Sequence, residues 1–403
     1  MENYRGIEYL KRKLHEKQRR IDLRYRFYDM KNLTVDFGIS TPPELRHWFS
    51  SLGWCAKAVD SLADRLVFRE FQNDTFDMNG VFAMNNPDVL TDSAIQGALI
   101  AGCDFIYIST DEAGFPRLEV LDGSRATGII DPQTGLLHEG YAVLEEGDYH
   151  KPILEAYFTP GRTDFYEEGE LVESIEYITT YPLLVPVVFR PDAKRPFGHS
   201  RISRACMSLT ESAVRTLKRS EITSEFYSFP QKWVSGLASD VEIDTWKANI
   251  SSMLTVTKDS EGDKPTFGQF TQQSMEPHVA ELKMIASLFG GETGLTLDDL
   301  GFMTDNPASA EAIKAGHETL RLTARKAQRT FGTGLLNAGY LGACLRDNQP
   351  YRRNQIYYTT PKWHPIFEPD AGALSGIGDG LMKLAQAVPG YDVERLINEL
   401  TGF

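Results

Sequence analysis

The sequence is poor in cysteine and has no long apolar run. Its four cysteines, Cys55, Cys103, Cys206 and Cys344, are scattered without a C-x-x-C spacing. This pattern predicts buried, reduced thiols rather than a metal or redox site, and it is typical of a protein made in a cytoplasm. The longest apolar run, 181–189, is short and interrupted by two prolines, and the N-terminal segment has no apolar core. We therefore expect neither a membrane span nor a signal peptide.

Motifs for catalysis and nucleotide binding are also missing. The chain has no G-x-x-x-x-G-K-[ST] loop, no H-E-x-x-H, no G-x-S-x-G and no clustered set of Cys and His. The glycine-rich stretch 376–380 follows no convincing strand, so we interpret it as a loop rather than a dinucleotide site. His199 and Ser200 beside Arg201 suggest a polar site or, as we favour, a helix entry with Ser200 as N-cap. We expect no cofactor, no metal and no enzymatic activity.

Negative charge predominates, with 56 acidic and 42 basic residues among 403 and a formal net charge of -14. This balance argues against an ordinary nucleic-acid-binding protein, but it does not exclude a protein that lets DNA pass without holding it. A predicted helix over 7–31 departs from the trend, since it carries eight basic residues between Lys11 and Arg26. We interpret it as a solvated helix packed on the body, with a nucleic-acid or partner contact as the alternative.

A long amphipathic helix is predicted over 201–228, after the corner Pro196-Phe197-Gly198. At 1.5 Å per residue it would reach about 40 Å, and it contains no internal glycine or proline. One face collects its apolar and small residues, since these recur at helical spacing. They are Ile202, Ala205, Cys206, Leu209, Ala213 and Leu217.

Upstream of this helix, the spacing of apolar residues predicts helices over 44–69 and 88–101. Between 102 and 190 the period changes to two, and seven β-branched or aromatic runs are separated by turn signals. The runs are FIYIST, PRLEVLDG, ATGIIDPQTG, LHEGYAVLEE, ILEAYFTPG, TDFYEEGE and VESIEYI. Together they predict an antiparallel sheet block.

Downstream, a compact insert over 229–276 contains the predicted strands KWVSGL, MLTVTKD and TFGQFTQ and a helix near 240–250. A shorter helix over 277–289 precedes the segment 290–308, which holds four acidic residues and no Lys or Arg. Asn306 and Pro307 then begin a second long helix. Its glycines at 332, 334, 339 and 342 predict a kink or break. QIYYTT is a predicted late strand, and two short helices over 382–400 end the chain.

Two short motifs make this order of parts specific. Phe229-Pro230-Gln231 follows the long helix, and the run DNPASAEA over 305–312 starts the second one. Earlier, LGWCAKAVDSLADRLVF and NPDVLTDSAIQGALIAGCDFIYIS supply helices and a first strand in the matching places. In these features the chain resembles the portal proteins of tailed bacteriophages over nearly its whole length.

The resemblance implies an α+β portal fold and a ring of about twelve subunits at one capsid vertex, through which double-stranded DNA is packaged and ejected. It also implies a division of the chain into named parts. These are N-terminal helices and a β-rich wing over 1–200, a first stem helix over 201–228, a small α/β clip over 229–276, a second stem helix over 277–289, a tunnel loop over 290–308, a long helix with a returning wing strand over 309–370, and a short helical crown over 371–403.

Candidate site residues follow from the same resemblance. The tunnel-loop residues expected at the channel are Asp298, Asp299, Met303, Thr304, Asp305 and Asn306. The clip residues expected to dock the motor or adaptor are Lys258, Asp259, Glu261, Asp263 and Lys264. An acidic lumen would repel DNA phosphates, whereas basic contacts would hold them. We therefore expect several basic residues of the first stem helix to face a neighbouring subunit or the outer surface; they are Arg201, Arg204, Arg215, Lys218 and Arg219.

The implied partners are further copies of this chain, double-stranded DNA, a terminase packaging motor, a head–tail adaptor, and the major capsid and scaffolding proteins, with no membrane. The implied location is the capsid vertex of the virion, after assembly in the host bacterial cytoplasm. One alternative is a phage-associated DNA-processing or lytic enzyme, which would need a carboxylate or metal cluster that no spacing supports. A nucleic-acid-binding module built on the Lys11–Arg26 helix is a third hypothesis.

Overall fold

A computed structural model describes residues 4–32, 49–148, 151–228, 232–235, 266–269, 274–303, 310–367 and 371–387. Their helices are α1 (Ile7–Tyr28), α2 (Trp54–Ala63), α3 (Met78–Ala83), α4 (Pro87–Ala101), α5 (Arg204–Ser228), α6 (Glu276–Thr293), α7 (Ala310–Gly316), α8 (Glu318–Arg346) and α9 (Ala371–Ala387), with a 3-10 helix at Arg353–Ile356. Their strands are β1 (Phe68–Gln72), β2 (Cys103–Thr110), β3 (Pro116–Leu121), β4 (Ala126–Ile130), β5 (Leu137–Glu146), β6 (Pro152–Thr159), β7 (Arg162–Glu167), β8 (Glu170–Glu176), β9 (Leu184–Val188), β10 (Lys232–Ser235), β11 (Thr266–Gln269) and β12 (Thr360–Trp363). The fold mixes helices and antiparallel sheets, as expected.

The seven period-two runs are confirmed as strands β2 to β8, but they divide between two sheets. One sheet has the order β3-β2-β9, and the other has the order β4-β5-β6-β7-β8, with antiparallel neighbours throughout. Phe105 of β2 and Phe158 of β6 are both fully buried in a shared apolar cluster. The two sheets therefore pack against each other, because each has one apolar face to bury.

Strand β9 was not predicted, because two prolines fall in and beside it. Pro186 pairs with Phe105 of β2, and β9 is the outer strand of its sheet. An outer strand tolerates proline, since the missing N–H costs no hydrogen bond on its open side. The apolar run 181–189 is thus a buried strand and its flanks, which fits its apolar composition.

The basic N-terminal segment is confirmed as a helix, α1. Its apolar edge packs on the larger sheet, with Leu10 and Leu14 against Tyr141 and Val143 of β5. Burial of these side chains is what holds the helix to the body. The structure therefore shows that the apolar face of α1 packs on the body of the protein, as the sequence predicts.

Two predicted elements begin or end elsewhere. The described part of the 44–69 segment is helical only over α2, and Phe68 belongs to strand β1. Phe68 stacks near Phe71, Phe82 and Trp363 with ring centroids 5.0–6.0 Å apart, so the aromatic cluster binds this segment to β12. The late strand lies at Thr360–Trp363 rather than along QIYYTT, whose first residues are in the 3-10 helix.

The predicted break in the second long helix is wrong in position. Helix α8 continues through all four glycines, and the interruption lies at His317, between α7 and α8. A Cβ atom on Gly332 would lie 2.6 Å from Cγ of Pro361, and one on Gly342 would lie 2.9 Å from Cγ1 of Val81. These glycines are therefore needed where β12 and α3 approach the helix closely.

The glycine-rich stretch 376–380 is part of helix α9, so its interpretation as a loop is wrong. The predicted terminal helices over 382–400 overlap α9 only as far as Ala387, and the remainder lies outside the described residues. Within the described part of the chain, none of the helices combines the length and the hydrophobicity that crossing a bilayer requires.

Candidate functional site

Helices α5 and α6 form an antiparallel pair at the centre of the predicted channel region. Three side-chain contacts fix the direction: Thr223 Oγ1 lies 3.2 Å from His278 Nε2, Arg219 Nη1 lies 3.8 Å from Glu281 Oε1, and Ser203 Oγ donates to Glu292 Oε1 at 2.9 Å. Residue numbers fall along one helix as they rise along the other. The segment between the helices therefore leaves and returns at the same end, where β10 and β11 pair antiparallel.

Helix α5 begins at Arg204, three residues later than predicted. Ser203 is the N-cap, since its Oγ accepts the N–H of Cys206 at 3.1 Å. Ser200 instead donates to the carbonyl oxygen of Ile100 at 2.6 Å and accepts the N–H of Ile202 at 2.9 Å. Ser200 thus binds the entry of the helix to the C-terminal turn of α4.

Arg201 is a buried anchor rather than a channel or surface residue. Its side chain is only 7% exposed, its Nε donates to the carbonyl oxygen of Ala58 at 3.2 Å, and its Nη2 donates to that of Thr293. Burial lowers the pKa of Arg201 to about 10, so the guanidinium stays charged at neutral pH. Arg201 therefore joins α2 and the end of α6 to the base of α5.

The other basic residues of α5 lie at its surface. Arg204 and Arg219 are exposed, and Arg219 forms the ion pair with Glu281 across the two helices. Arg215 is half-buried and donates to Ser212 Oγ at 3.1 Å, and Lys218 is also half-buried. Their expected position against a neighbouring subunit or the outer surface stays a prediction.

The chain leaves α6 through a tight, hydrogen-bonded turn. Gly294 has φ +75, a left-handed conformation suited to glycine at a helix end. Thr296 donates both its N–H and its Oγ1 hydrogen to Asp299 Oδ2 at 2.9 Å, and Thr296 Oγ1 accepts the N–H of Asp299 at 3.3 Å. This is a capping box, in which each residue satisfies the other.

His317, between α7 and α8, holds the same carboxylate. Its Nε2 lies 2.9 Å from Asp299 Oδ2, and its Nδ1 lies 2.9 Å from the carbonyl oxygen of Ile313. Burial raises the pKa of Asp299, but the hydrogen bonds from Thr296 and the adjacent His317 outweigh it and hold the pKa below its ordinary value. Asp299 therefore links the turn to the second long helix.

The two aspartates of the predicted tunnel loop thus have different surroundings. Asp298 is exposed, whereas the Asp299 side chain is 22% exposed and engaged. Met303 is 89% exposed beside them. Thr304, Asp305 and Asn306 lie outside the described residues, as do all five clip residues, Lys258, Asp259, Glu261, Asp263 and Lys264.

Helix α6 has an apolar face that no other described element covers. Met284 and Leu288, one turn apart, are 57% and 56% exposed, while Ile285 and Phe289 beside them are buried. Val279 is 58% exposed but lies on a different side of the helix. Phe289 packs on Trp54 of α2 with ring centroids 5.4 Å apart. The spacing of apolar residues predicts one face made of Val279, Leu282, Ile285, Ala286 and Phe289. Ile285, Ala286 and Phe289 are buried as expected, whereas Val279 is exposed. The exposed pair Met284 and Leu288, at i and i+4, was not predicted.

The four cysteines are confirmed as buried and unpaired. Burial raises the pKa of Cys55 to about 12, and it likewise raises that of Cys103. Thiols in such surroundings are unreactive. Across the residues that the structure describes, no group of three or more His, Cys, Asp or Glu side chains is placed to hold a metal ion.

Sequence comparison relates the chain to named proteins. It is 25% identical over 328 residues to the portal proteins of Mycobacterium phages D29 and L5, an alignment that covers 76% of this chain and 67% of each relative. The resemblance to phage portal proteins is confirmed. A scan against protein-family profiles found no match.

Two solved structures similar to this chain are of the necks of gene transfer agent (GTA) particles. The neck of a native particle computed with C12 symmetry is 13% identical, with 88% of this chain and 92% of that chain covered and a TM-score of 0.48. The neck of an empty particle computed with C6 symmetry is 14% identical, with 91% and 95% covered and a TM-score of 0.44.

Proposed function

We propose that this chain is the portal subunit of a tailed phage or a related particle. About twelve copies would form a ring at one capsid vertex, and double-stranded DNA would enter and leave through its centre. The observation that carries the proposal is the sequence match to two curated portal proteins over three quarters of the chain. The protein would act as a conduit, and the chemistry of packaging would belong to a motor docked on it.

The antiparallel pair α5 and α6 supports a stem role. The pair extends from a rigid base, where Arg201 and the Trp54–Phe289 contact hold both helices to α2. Exposure of the apolar side chains of Met284 and Leu288 to water costs free energy. Burial of these side chains against another surface removes that cost. A ring would supply that surface, because rotation places this face of every subunit against a different face of the next subunit.

Charge supports a lumen near the turn after α6. Asp298 is exposed there, and no Lys or Arg occurs in 290–308. A carboxylate repels DNA phosphate, so DNA can move past without a stable contact. We assign the segment between α5 and α6 to the clip, which would dock the terminase motor and later the head–tail adaptor, with the sheets as a wing and α9 in a short crown.

A DNA-packaging assay tests this assignment at Asp298. We expect Asp298→Lys to form rings normally but to package less DNA, because the added cations would retard phosphate in the channel. Asp298→Asn is the matched control, since it removes charge without adding a cation, and we expect it to package nearly as well as wild type. Equal packaging by all three proteins would remove Asp298 from the channel.

A further inference from the structure

The outer edge of the larger sheet is acidic, and no described strand pairs with it. Strand β8 is the last strand of the order β4-β5-β6-β7-β8, and all seven of its residues are exposed. The acidic hairpin, which we define as 162–176, carries five glutamates and no basic residue after Arg162. They are Glu167, Glu168, Glu170, Glu173 and Glu176. Within the described part of the chain, none of these five forms an ion pair.

Apolar side chains are interleaved with these carboxylates. Leu171, Val172 and Ile175 of β8 are 53%, 57% and 37% exposed. A sheet edge of this kind has unpaired backbone groups together with apolar surface, and proteins usually cover or blunt such an edge. Here charge keeps the edge soluble, and the same charge selects a basic partner.

A basic cluster lies at the opposite edge of the same sheet. Six basic side chains surround or adjoin a cavity of about 330 Å³ between α1, β4 and the corner before α5. They are Lys13, Lys17, Arg20, Arg24, Arg195 and Arg204. Lys13 and Lys17 donate to the β4 carbonyl oxygens of Gly128 and Ala126 at 2.6 and 2.5 Å, which fixes the cluster to the edge strand.

Carboxylates offset part of the positive charge of the cluster: Glu139 lies near Lys13, and Asp122 lies near Lys17. Burial, together with the nearby charges of Arg20, Arg195 and Arg204, lowers the pKa of Arg24 to about 10. Glu16 also lines the cavity, and Asp192 is engaged with His199 at 2.6 Å. Among the described residues, Arg20 and Arg204 form no ion pair. This surface therefore favours an acidic partner.

The acidic hairpin and the basic cluster are too far apart to contact each other within one chain, but they can contact each other between two copies. They lie at opposite edges of a five-stranded sheet, about 19 Å apart at four strand spacings. A subunit with complementary patches on opposite sides can make a head-to-tail contact, and repeated copies form a ring when the rotation between them closes. We propose that the acidic hairpin of one subunit docks on the basic cluster of the next subunit, a contact that rests on the proposed ring.

Charge reversal tests this contact, with ring formation measured by size-exclusion chromatography and light scattering. Glu170→Lys with Glu173→Lys should reduce the fraction in rings at least about tenfold, and so should Arg20→Glu with Arg204→Glu. Combining all four changes should restore rings, because the charges are then complementary again. Glu112→Lys with Glu119→Lys is the control, since it changes net charge by the same amount at exposed sites of β3 and its preceding turn.

The outcomes separate this contact from the ring itself. Rings in every variant would overturn the contact and leave the proposed ring unaffected. A loss of rings that the fourfold change fails to restore would also overturn the contact. A wild-type protein that stays monomeric would overturn both. If the Arg20→Glu and Arg204→Glu protein assembles normally but loses affinity for double-stranded DNA, the cluster is a nucleic-acid site and the contact is wrong. Circular dichroism and thermal midpoints check that each variant is folded.

Discussion

At the scale of single residues, two adjacent aspartates have different surroundings. Asp298 and Asp299 are adjacent in the acidic segment, yet Asp299 is bound by Thr296 and His317 while Asp298 is exposed. The pattern Thr-x-x-Asp over 296–299 was a capping-box signal that the sequence already contained. The partner His317 was not predictable, because it lies 18 positions away and meets Asp299 only through the packing of α8.

The Asp299 pair predicts a specific dependence of stability on pH. The folded pKa of Asp299 lies below its ordinary value of 3.8, so ionised Asp299 stabilises the fold above that value, and the contribution is lost as pH falls through the lowered pKa. Asp299→Asn keeps an acceptor oxygen and removes the charge. We expect its thermal midpoint to lie below wild type near neutral pH and the two to converge in acid.

Asp298→Asn is the control for this titration. Asp298 is exposed, so its replacement should leave the thermal midpoint unchanged across the same range. Calorimetry of the three proteins at matched concentration makes the comparison. A gap between wild type and Asp299→Asn that persists unchanged at low pH would contradict an electrostatic role for this carboxylate.

At the scale of elements, local patterns predicted which segments form strands, but they did not predict how the strands divide between sheets. All seven period-two runs are strands, because alternation reflects one buried face, but the division into two sheets depends on long-range packing that alternation does not encode. The helix-breaking interpretation of Gly332 and Gly342 failed for the same reason. Glycine is needed at these two positions because Pro361 and Val81, from other parts of the chain, pack closely against the helix there.

Alanine substitution tests whether a helical glycine is required by close packing or only lowers the stability of its helix. Gly332→Ala should destabilise the protein by about 1–3 kcal/mol, because the new Cβ meets the Pro361 ring. Gly378→Ala in α9 is the matched change, since a Cβ there meets nothing within 4 Å, and it should stabilise the helix by up to about 1 kcal/mol. Urea unfolding measures both, and a stabilising Gly332→Ala would contradict the packing account.

The exposed face of α6 gives a prediction about assembly. Met284→Glu with Leu288→Glu should weaken self-association at least about tenfold, because the apolar face would then carry two charges that the contact must bury. Lys283→Glu makes the same net charge change at an exposed neighbouring position, and it should assemble like wild type. Sedimentation velocity gives the oligomer distribution, and equal assembly by both would leave α6 outside the interface.

At the scale of the whole molecule, the chain has charged and apolar surfaces that its other described elements do not cover. The α6 apolar face, the open β8 edge and the basic cluster all lie uncovered by other described parts of the chain. Sequence reasoning reached the portal resemblance from the order of elements and two short motifs. It left a partner contact open for the basic segment between Lys11 and Arg26, which supplies part of the cluster. It did not reach the α6 face or the β8 edge, because exposure is a property of the packed chain.

The central claim is that this protein assembles into a ring around an open channel. Class-averaged electron micrographs of the purified protein, with native mass spectrometry of the same sample, test it most directly. We predict a stalked ring with a central hole and a mass of about twelve times the 45.3 kDa subunit. A protein that remains monomeric or dimeric at all salt and protein concentrations would contradict the account.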